Sequence, residues 1–261
     1  MDEIRASGAV PAGLLAALRS QGWFATCEDG FQLALLGQAR LQHLSAGDTL
    51  FARGSEADGL HCVLAGAVKI SSDDPVSGAQ RLWAYLEPYQ WFGELSLLDG
   101  QPHSLDAIAD QDSRILTVPK ARLDAWLQAH PRHWRELSRL ACARLRGLQA
   151  ATEDRDQLSV DDQVARRLVL SASNAGQLVW GYWRRRVRLP QEHLASMLGV
   201  SRQTINKALR RLERDGLLRL GYAEIEILQL EHLVVRAGTF DPVVYPGMAV
   251  PPWVLKAVSG P

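Results

Sequence analysis

One change of texture along the chain constrains its fold more than any other feature. From about residue 45 to 118, short apolar runs alternate with Gly, Pro and Asp; beyond Pro119 the breakers thin out and helical spacing takes over. The runs are Thr49–Phe51, Leu60–Leu64, Ala67–Ile70, Arg81–Leu86 and Ile115–Val118. Between them stand Gly47-Asp48, Gly54, Asp58-Gly59, Gly66, Asp73-Asp74-Pro75 and Asp99-Gly100. Many short strands with regular turn signals predict an all-β roll or barrel. Residues 12–44, ahead of it, read as short amphipathic helices with Leu14, Leu15, Leu18, Phe31, Leu33, Leu35 and Leu36 as apolar positions.

Lys120–Ala129 reads as a short helix that ends near His130-Pro131. From Pro131 to about Leu158 the only breaker is Gly147, and Trp134, Leu137, Ala141, Leu145, Leu148 and Thr152 recur at three- and four-residue spacing. Such a narrow apolar seam suits a coiled-coil contact with an identical chain; packing on the chain's own β domain is the alternative. Asp161–Ala172 predicts a further helix, capped by Ser159 or Asp161. Ala175–Arg188 looks like a β-hairpin edge, and Leu217–Leu220 and Ala223–Ile227 read as two strands around Gly221. The stretch from 231 onward is a tail containing Pro242, Pro246, Gly247, Pro251 and Pro252, without a motif. The expected division is 1–130, 131–158, 159–230 and 231–261.

Lys+Arg and Asp+Glu are both 29, so the chain as a whole is no basic nucleic-acid coat. The charge is uneven, however. Residues 159–230 hold twelve Lys/Arg against seven Asp/Glu, which marks a basic C-terminal region against an acidic remainder. Cys27, Cys62 and Cys142 are sparse and odd in number, which fits a reducing cytoplasm better than a disulfide framework. There is no CxxC or HExxH, so no metal site is expected, and no GxSxG, so no nucleophilic enzyme is expected. No apolar run reaches the length of a membrane span, and Met1-Asp2-Glu3-Ile4-Arg5 lacks the start of a signal peptide.

The sharpest functional signal is Leu189–Leu209. Pro190 opens a helix whose core face is Leu194, Ala195 and Leu198; Gly199 supplies a turn that needs positive φ; Ser201 caps a second helix buried through Thr204, Ile205, Ala208, Leu209 and Leu212. The other face of that second helix carries Arg202, Gln203, Asn206, Lys207, Arg210 and Arg211. Its N-terminal residues suit a DNA major groove, where Arg forks onto guanine O6 and N7 and Gln pairs with adenine N6 and N7. Ser201, Arg202, Gln203, Asn206, Lys207 and Arg210 are the candidate DNA contacts, with Arg202 as the guanine reader.

Together the β-roll, long helix and C-terminal winged helix-turn-helix resemble the CRP/FNR family of bacterial transcription regulators. The resemblance spans about residues 15–230 and rests on two motifs, Phe92–Ser104 and Gly199–Lys207. The first looks like the phosphate-binding cassette of cyclic-nucleotide domains. By that resemblance the backbone of Gly93, Leu95 and Ser96 approaches a cyclic phosphate, Glu94 bonds a ribose 2′-hydroxyl and Ser104 meets the phosphate. His103 stands where the family's cyclic-AMP binders carry an arginine, which gives a permanent bidentate charge that histidine lacks near pH 7. On the long helix Arg144 fits a family arginine, but Leu148 and Gln149 fall where hydroxyl residues contact adenine. These departures argue against tight cyclic-AMP binding and leave open a cyclic dinucleotide, another anion or no effector.

An iron–sulfur cluster would need clustered cysteines, and His61-Cys62 point to opposite faces of a strand, so neither cluster nor haem is expected. The sequence therefore predicts an α+β protein: a double-stranded β-roll, a long dimerisation helix and a winged helix-turn-helix. As a cytoplasmic homodimer it would bind a pseudo-palindromic double-stranded operator, with RNA polymerase as a further partner if it activates. The alternatives are an effector-independent regulator with a vestigial roll and a nucleotide sensor acting through protein contacts.

Overall fold

The computed structural model describes residues 12–20, 22–73, 78, 80–173, 184–221 and 224–240. The chain divides into two compact units, Met1–Cys142 and Ala143–Pro261.

In the first unit, three short helices, Ala12–Arg19, Gly22–Ala25 and Asp29–Gln38, lead into eight strands. The strands are β1 (Arg40–Leu44), β2 (Thr49–Phe51), β3 (Gly59–Ala65), β4 (Val68–Asp73), β5 (Gln80–Leu86), β6 (Trp91–Phe92), β7 (Asp106–Ala109) and β8 (Ser113–Pro119). They form two antiparallel four-stranded sheets, ordered β1-β8-β3-β6 and β2-β7-β4-β5. One core, with Val63, Val68, Ile70, Leu86, Phe92, Ala107 and Ile115, draws on strands of both sheets. A second core joins Leu18, Trp23, Phe24, Phe31 and Leu35 of the helices to Leu60, Trp91, Leu116 and Val118 of the first sheet. Trp91 lies stacked on Phe24 at 5.4 Å, and the Trp23 indole donates to the Glu136 carbonyl at 2.7 Å.

The expected helical run to residue 44 stops early. Arg40–Leu44 pairs with β8 along its whole length, Arg40 opposite Thr117 through Leu44 opposite Ser113. Leu33 is 53% exposed and takes no part in the apolar face expected of it.

Lys120–Ala129 forms the predicted helix, and a turn of 3₁₀ at Pro131–His133 opens the long helix Trp134–Gln157. The apolar seam along this helix divides between two uses. Leu137 is fully buried in the second core and Trp134 packs against it, so these two positions, expected in a dimer contact, serve the chain's own roll. Leu145 and Leu148 are instead 58% and 48% exposed.

In the second unit, Ser159 accepts from the Asp162 amide and caps helix Val160–Ala172. Strand β9 (Arg186–Val187) and helices Gln191–Leu198 and Arg202–Arg214 follow, then strands β10 (Leu218–Leu220) and β11 (Ile225–Ile227); the sheet runs in the order β10-β11-β9. Most of the hairpin expected over Ala175–Arg188 lies outside the described residues. The tail begins as structure: Leu230–Arg236 is a helix, and Arg166 donates to the carbonyls of Ala237 and Thr239 at 3.1 and 2.9 Å with its guanidinium over Phe240.

Candidate nucleic-acid interface and effector cassette

The helix-turn-helix is built by local rules. Gly199 has φ +67°, the left-handed conformation that ends the first helix. Ser201 Oγ accepts from the Thr204 amide at 3.1 Å and so satisfies one of the orphan donors at the start of the second. Ile205, Ala208, Leu209 and Leu212 are fully buried, one stripe of the helix at three- and four-residue spacing. That stripe fixes which side faces outward: Ser201, Arg202, Gln203, Lys207 and Arg210 are exposed.

Two members of the polar face are engaged inside the unit. The Asn206 side-chain amide donates to Gln191 Oε1 at 3.0 Å, so it braces the two helices against each other. Arg211 forks onto Asp161 at 2.6 and 2.5 Å, joined by Arg236 on Asp162 at 2.5 Å. The hydrogen bond from Arg211 holds the Asp161 carboxyl below its ordinary range against the opposing effect of burial. Arg211 is therefore a clamp between helices rather than part of the free face. On the wing, Arg219 pairs with Glu226 at 3.1 Å, and Arg186 and Arg188 lie within 4 Å of Glu224.

The cassette begins at Gly93, with φ +95° at the N-cap of helix Glu94–Asp99. A Cβ there would meet the Gly59 carbonyl at 2.8 Å and the His61 ring at 3.0 Å, so both backbone angle and space require glycine. Glu94 and Ser96 are buried, while Leu95 is half-exposed and Ser104 is exposed. His103 is 5% exposed and lies flat on Phe51, ring centroids 3.7 Å apart. Its Nδ1 lies 3.3 Å from Ser96 Oγ, and its Nε2 lies 3.6 Å from Asp58 Oδ1. The same carboxylate oxygen is 3.0 Å from His61 Nε2, whose Nδ1 meets Thr117 Oγ1 at 3.0 Å.

Burial lowers the His103 pKa and the nearby Asp58 charge only partly restores it, so the net shift is downward. Burial pushes the Asp58 carboxyl up, but the hydrogen bond and charge of His61, with a contribution from His103, hold it below its ordinary value. The position expected to meet a phosphate thus combines a neutral imidazole with a carboxylate. Asp58 reads in the sequence only as turn punctuation, and no local signal links it to His103. Arg144, Leu148 and Gln149 belong to the second unit, Arg144 partly buried and the other two exposed.

The roll and the winged helix-turn-helix together make up a DNA-binding transcription regulator. The model of the cyclic nucleotide-binding domain matches residues 41–130, and that of the Crp-like helix-turn-helix domain matches residues 162–235. The chain is 31% identical over 220 residues to the CRP-like cAMP-activated global transcriptional regulator of Mycobacterium tuberculosis, covering 84% of this chain and 98% of that one. It is 29% identical to the cyclic AMP receptor protein of Thermus thermophilus over 69% of this chain and 80% of that one. The fold is shared with FixK2 from Bradyrhizobium japonicum, with a TM-score of 0.68 at 19% identity over 78% of this chain and 99% of that one. The protein belongs to the CRP/FNR family, and it is a DNA-binding transcription regulator. Among the described residues no helix is long and apolar enough to cross a membrane.

Proposed function

We propose that the protein acts as a cytoplasmic homodimer that places one Arg202–Arg214 helix in each half of a pseudo-palindromic operator. The observation that carries this reading is the outward face of that helix, where Arg202, Gln203, Lys207 and Arg210 stand exposed above a fully buried apolar stripe. Arg202 reads guanine and Gln203 the neighbouring base; Lys207 and Arg210 hold phosphate or base; Ser201 positions them as the cap. Asn206 acts through Gln191. The dimer forms through Ala141, Leu145, Leu148 and Thr152, which the exposure of the two leucines supports. Activity is regulatory rather than enzymatic, and RNA polymerase is a partner if the regulator activates.

A small effector in the roll, drawn from cyclic nucleotides or cyclic dinucleotides, sets the arrangement of the DNA heads through unequal affinity for the two states. Gly93, Glu94, Leu95, Ser96, His103 and Ser104, with Arg144, Leu148 and Gln149, are its candidate contacts. Neutral His103 beside the Asp58 carboxylate supports a ligand other than cyclic AMP, or a roll that works without one. Binding-site selection from random duplex DNA tests the main reading: a two-fold symmetric consensus is expected, with degenerate selection in Arg202→Ala at one base pair of each half. Enrichment of no sequence would refute it.

A further inference from the structure

A second cluster of ligating groups lies in the first unit, apart from the cassette. Glu28, His133 and Glu136 bring two carboxylate oxygens and an imidazole nitrogen within 4.8 Å of one another. Glu28 immediately precedes helix Asp29–Gln38; His133 closes the 3₁₀ turn, and Glu136 follows three residues later on the same side of the long helix. His133 is 2% and Glu136 7% exposed, while the Glu28 side chain is open to solvent. The His133 ring is fixed flat against Phe31 with centroids 5.4 Å apart.

The hydrogen bonds reveal what the cluster lacks. Arg132 Nε donates to His133 Nε2 at 3.2 Å, and its Nη2 pairs with Glu28 at 2.9 Å. A guanidinium only donates, so Nε2 must present its lone pair, which is the ligating form of the ring. That lone pair lies 4.0 Å from the Glu28 carboxylate. The proximity of these two electron-rich groups is therefore no ion pair; it requires a cation between them. Arg132 supplies one from a side chain that is 73% exposed, an arm on the surface rather than a built-in part of the core. Arg139 balances Glu136 at 3.0 Å.

We propose that Glu28, His133 and Glu136 form a site for a borderline divalent transition cation, with Zn²⁺ as its representative, and that the ion displaces the Arg132 guanidinium. A mixed nitrogen and oxygen donor set of three suits zinc with an open fourth position. Zinc at bond lengths of about 2.0–2.1 Å requires donors about 3.4 Å apart, closer than the 4.0 Å between Glu28 and His133, and the exposed Glu28 side chain can supply that approach. The ion would tie the segment before Asp29–Gln38 to the first turn of the long helix.

Calorimetric titration of the chelator-treated full chain with ZnCl₂ tests this. One ion per chain is expected, bound about tenfold or more weaker in Glu28→Gln and His133→Gln and more tightly in Arg132→Ala, which removes the competing cation. Glu28→Gln alters an exposed side chain and keeps the fold, so its effect stands even if His133→Gln misfolds; circular dichroism checks both. Absence of saturable binding in both the wild type and Arg132→Ala would overturn the proposal and leave Arg132 as the resident cation. Binding of equal strength in wild type, Glu28→Gln and Arg132→Ala would overturn it too, by placing the ion elsewhere.

Discussion

Ser201 separates helix capping from DNA contact in a single position. Its Oγ accepts from the Thr204 amide at 3.1 Å and lies 2.8 Å from Thr204 Oγ1, and the residue is exposed, so Ala removes a cap and little else. Loss of such a cap costs about 1 kcal/mol, with about 0.5–2 as the range. For a domain of this size that lowers Tm by about 4 °C. If all of the loss appears as fraying of the turn that holds Arg202 and Gln203, the Kd for DNA rises by about fivefold for about 1 kcal/mol and about thirtyfold at the top of the range. Ser201→Asp restores the cap and places a negative charge at the positive end of the helix dipole, so its Tm returns to wild type or above. The same charge faces phosphate, so its DNA affinity falls below that of Ser201→Ala, and most steeply at low salt. Differential scanning fluorimetry and fluorescence anisotropy on the three proteins give both readings. Ser201→Ala melting like wild type while losing DNA affinity, or Ser201→Asp failing to restore Tm, would refute the capping role.

Further tests follow from the remaining geometry. Arg202→Ala is expected to cost about 1–3 kcal/mol at a selected operator and little on random DNA, whereas Lys207→Ala weakens both if it holds phosphate and lowers the salt slope by about one; anisotropy across a salt series checks this. Asp161 has a depressed folded pKa, so its contribution is present above the unfolded value of 3.8 and is lost as pH falls through the folded value. Urea titrations from pH 7 downward should therefore show Asp161→Asn destabilised at pH 7, with its gap from wild type narrowing progressively below pH 3.8. His103→Arg is expected to raise cyclic-nucleotide affinity in calorimetry, more so when combined with Asp58→Asn; unchanged binding in both would remove the cassette from the effector site. Leu145→Glu should shift the protein toward monomer in light scattering.

The fold was legible wherever local chemistry decides it. Gly199 and Ser201 mark the turn and cap of the helix-turn-helix because positive φ and an N-cap hydroxyl are local demands. Lys120–Ala129 and the start of the long helix are bounded by Pro119 and Pro131 for the same reason. Arg40–Leu44 was not legible, because Gly37 is the single breaker just ahead of it and its strand character comes from pairing with β8. Asp106–Ala109 and Trp91–Phe92 are too short to show a period.

Periodicity identified the seam of the long helix without saying what covers it. Leu137 and Leu145 have the same spacing and chemistry, yet one is sealed into the chain's own core and the other stands in solvent. The site divides along the same line. The reading face of Arg202–Arg214 follows from one helix and its buried stripe. The surroundings of His103 depend on Phe51, Asp58, His61 and Ser96, which β2, β3 with the loop before it, and helix Glu94–Asp99 bring together. Charge at a residue can be read from its type, but its protonation depends on such neighbours.

Two copies of the Arg202–Arg214 helix are expected to read DNA on one face of the duplex. Hydroxyl-radical footprinting of the purified protein on a selected operator tests it most directly. Two protected patches of like sequence are expected, centred about 10 base pairs apart or a small multiple of that, both lost in Arg202→Ala at concentrations where wild type saturates. A single uninterrupted protected stretch, the same on operator and scrambled DNA and unchanged by Arg202→Ala, would contradict it.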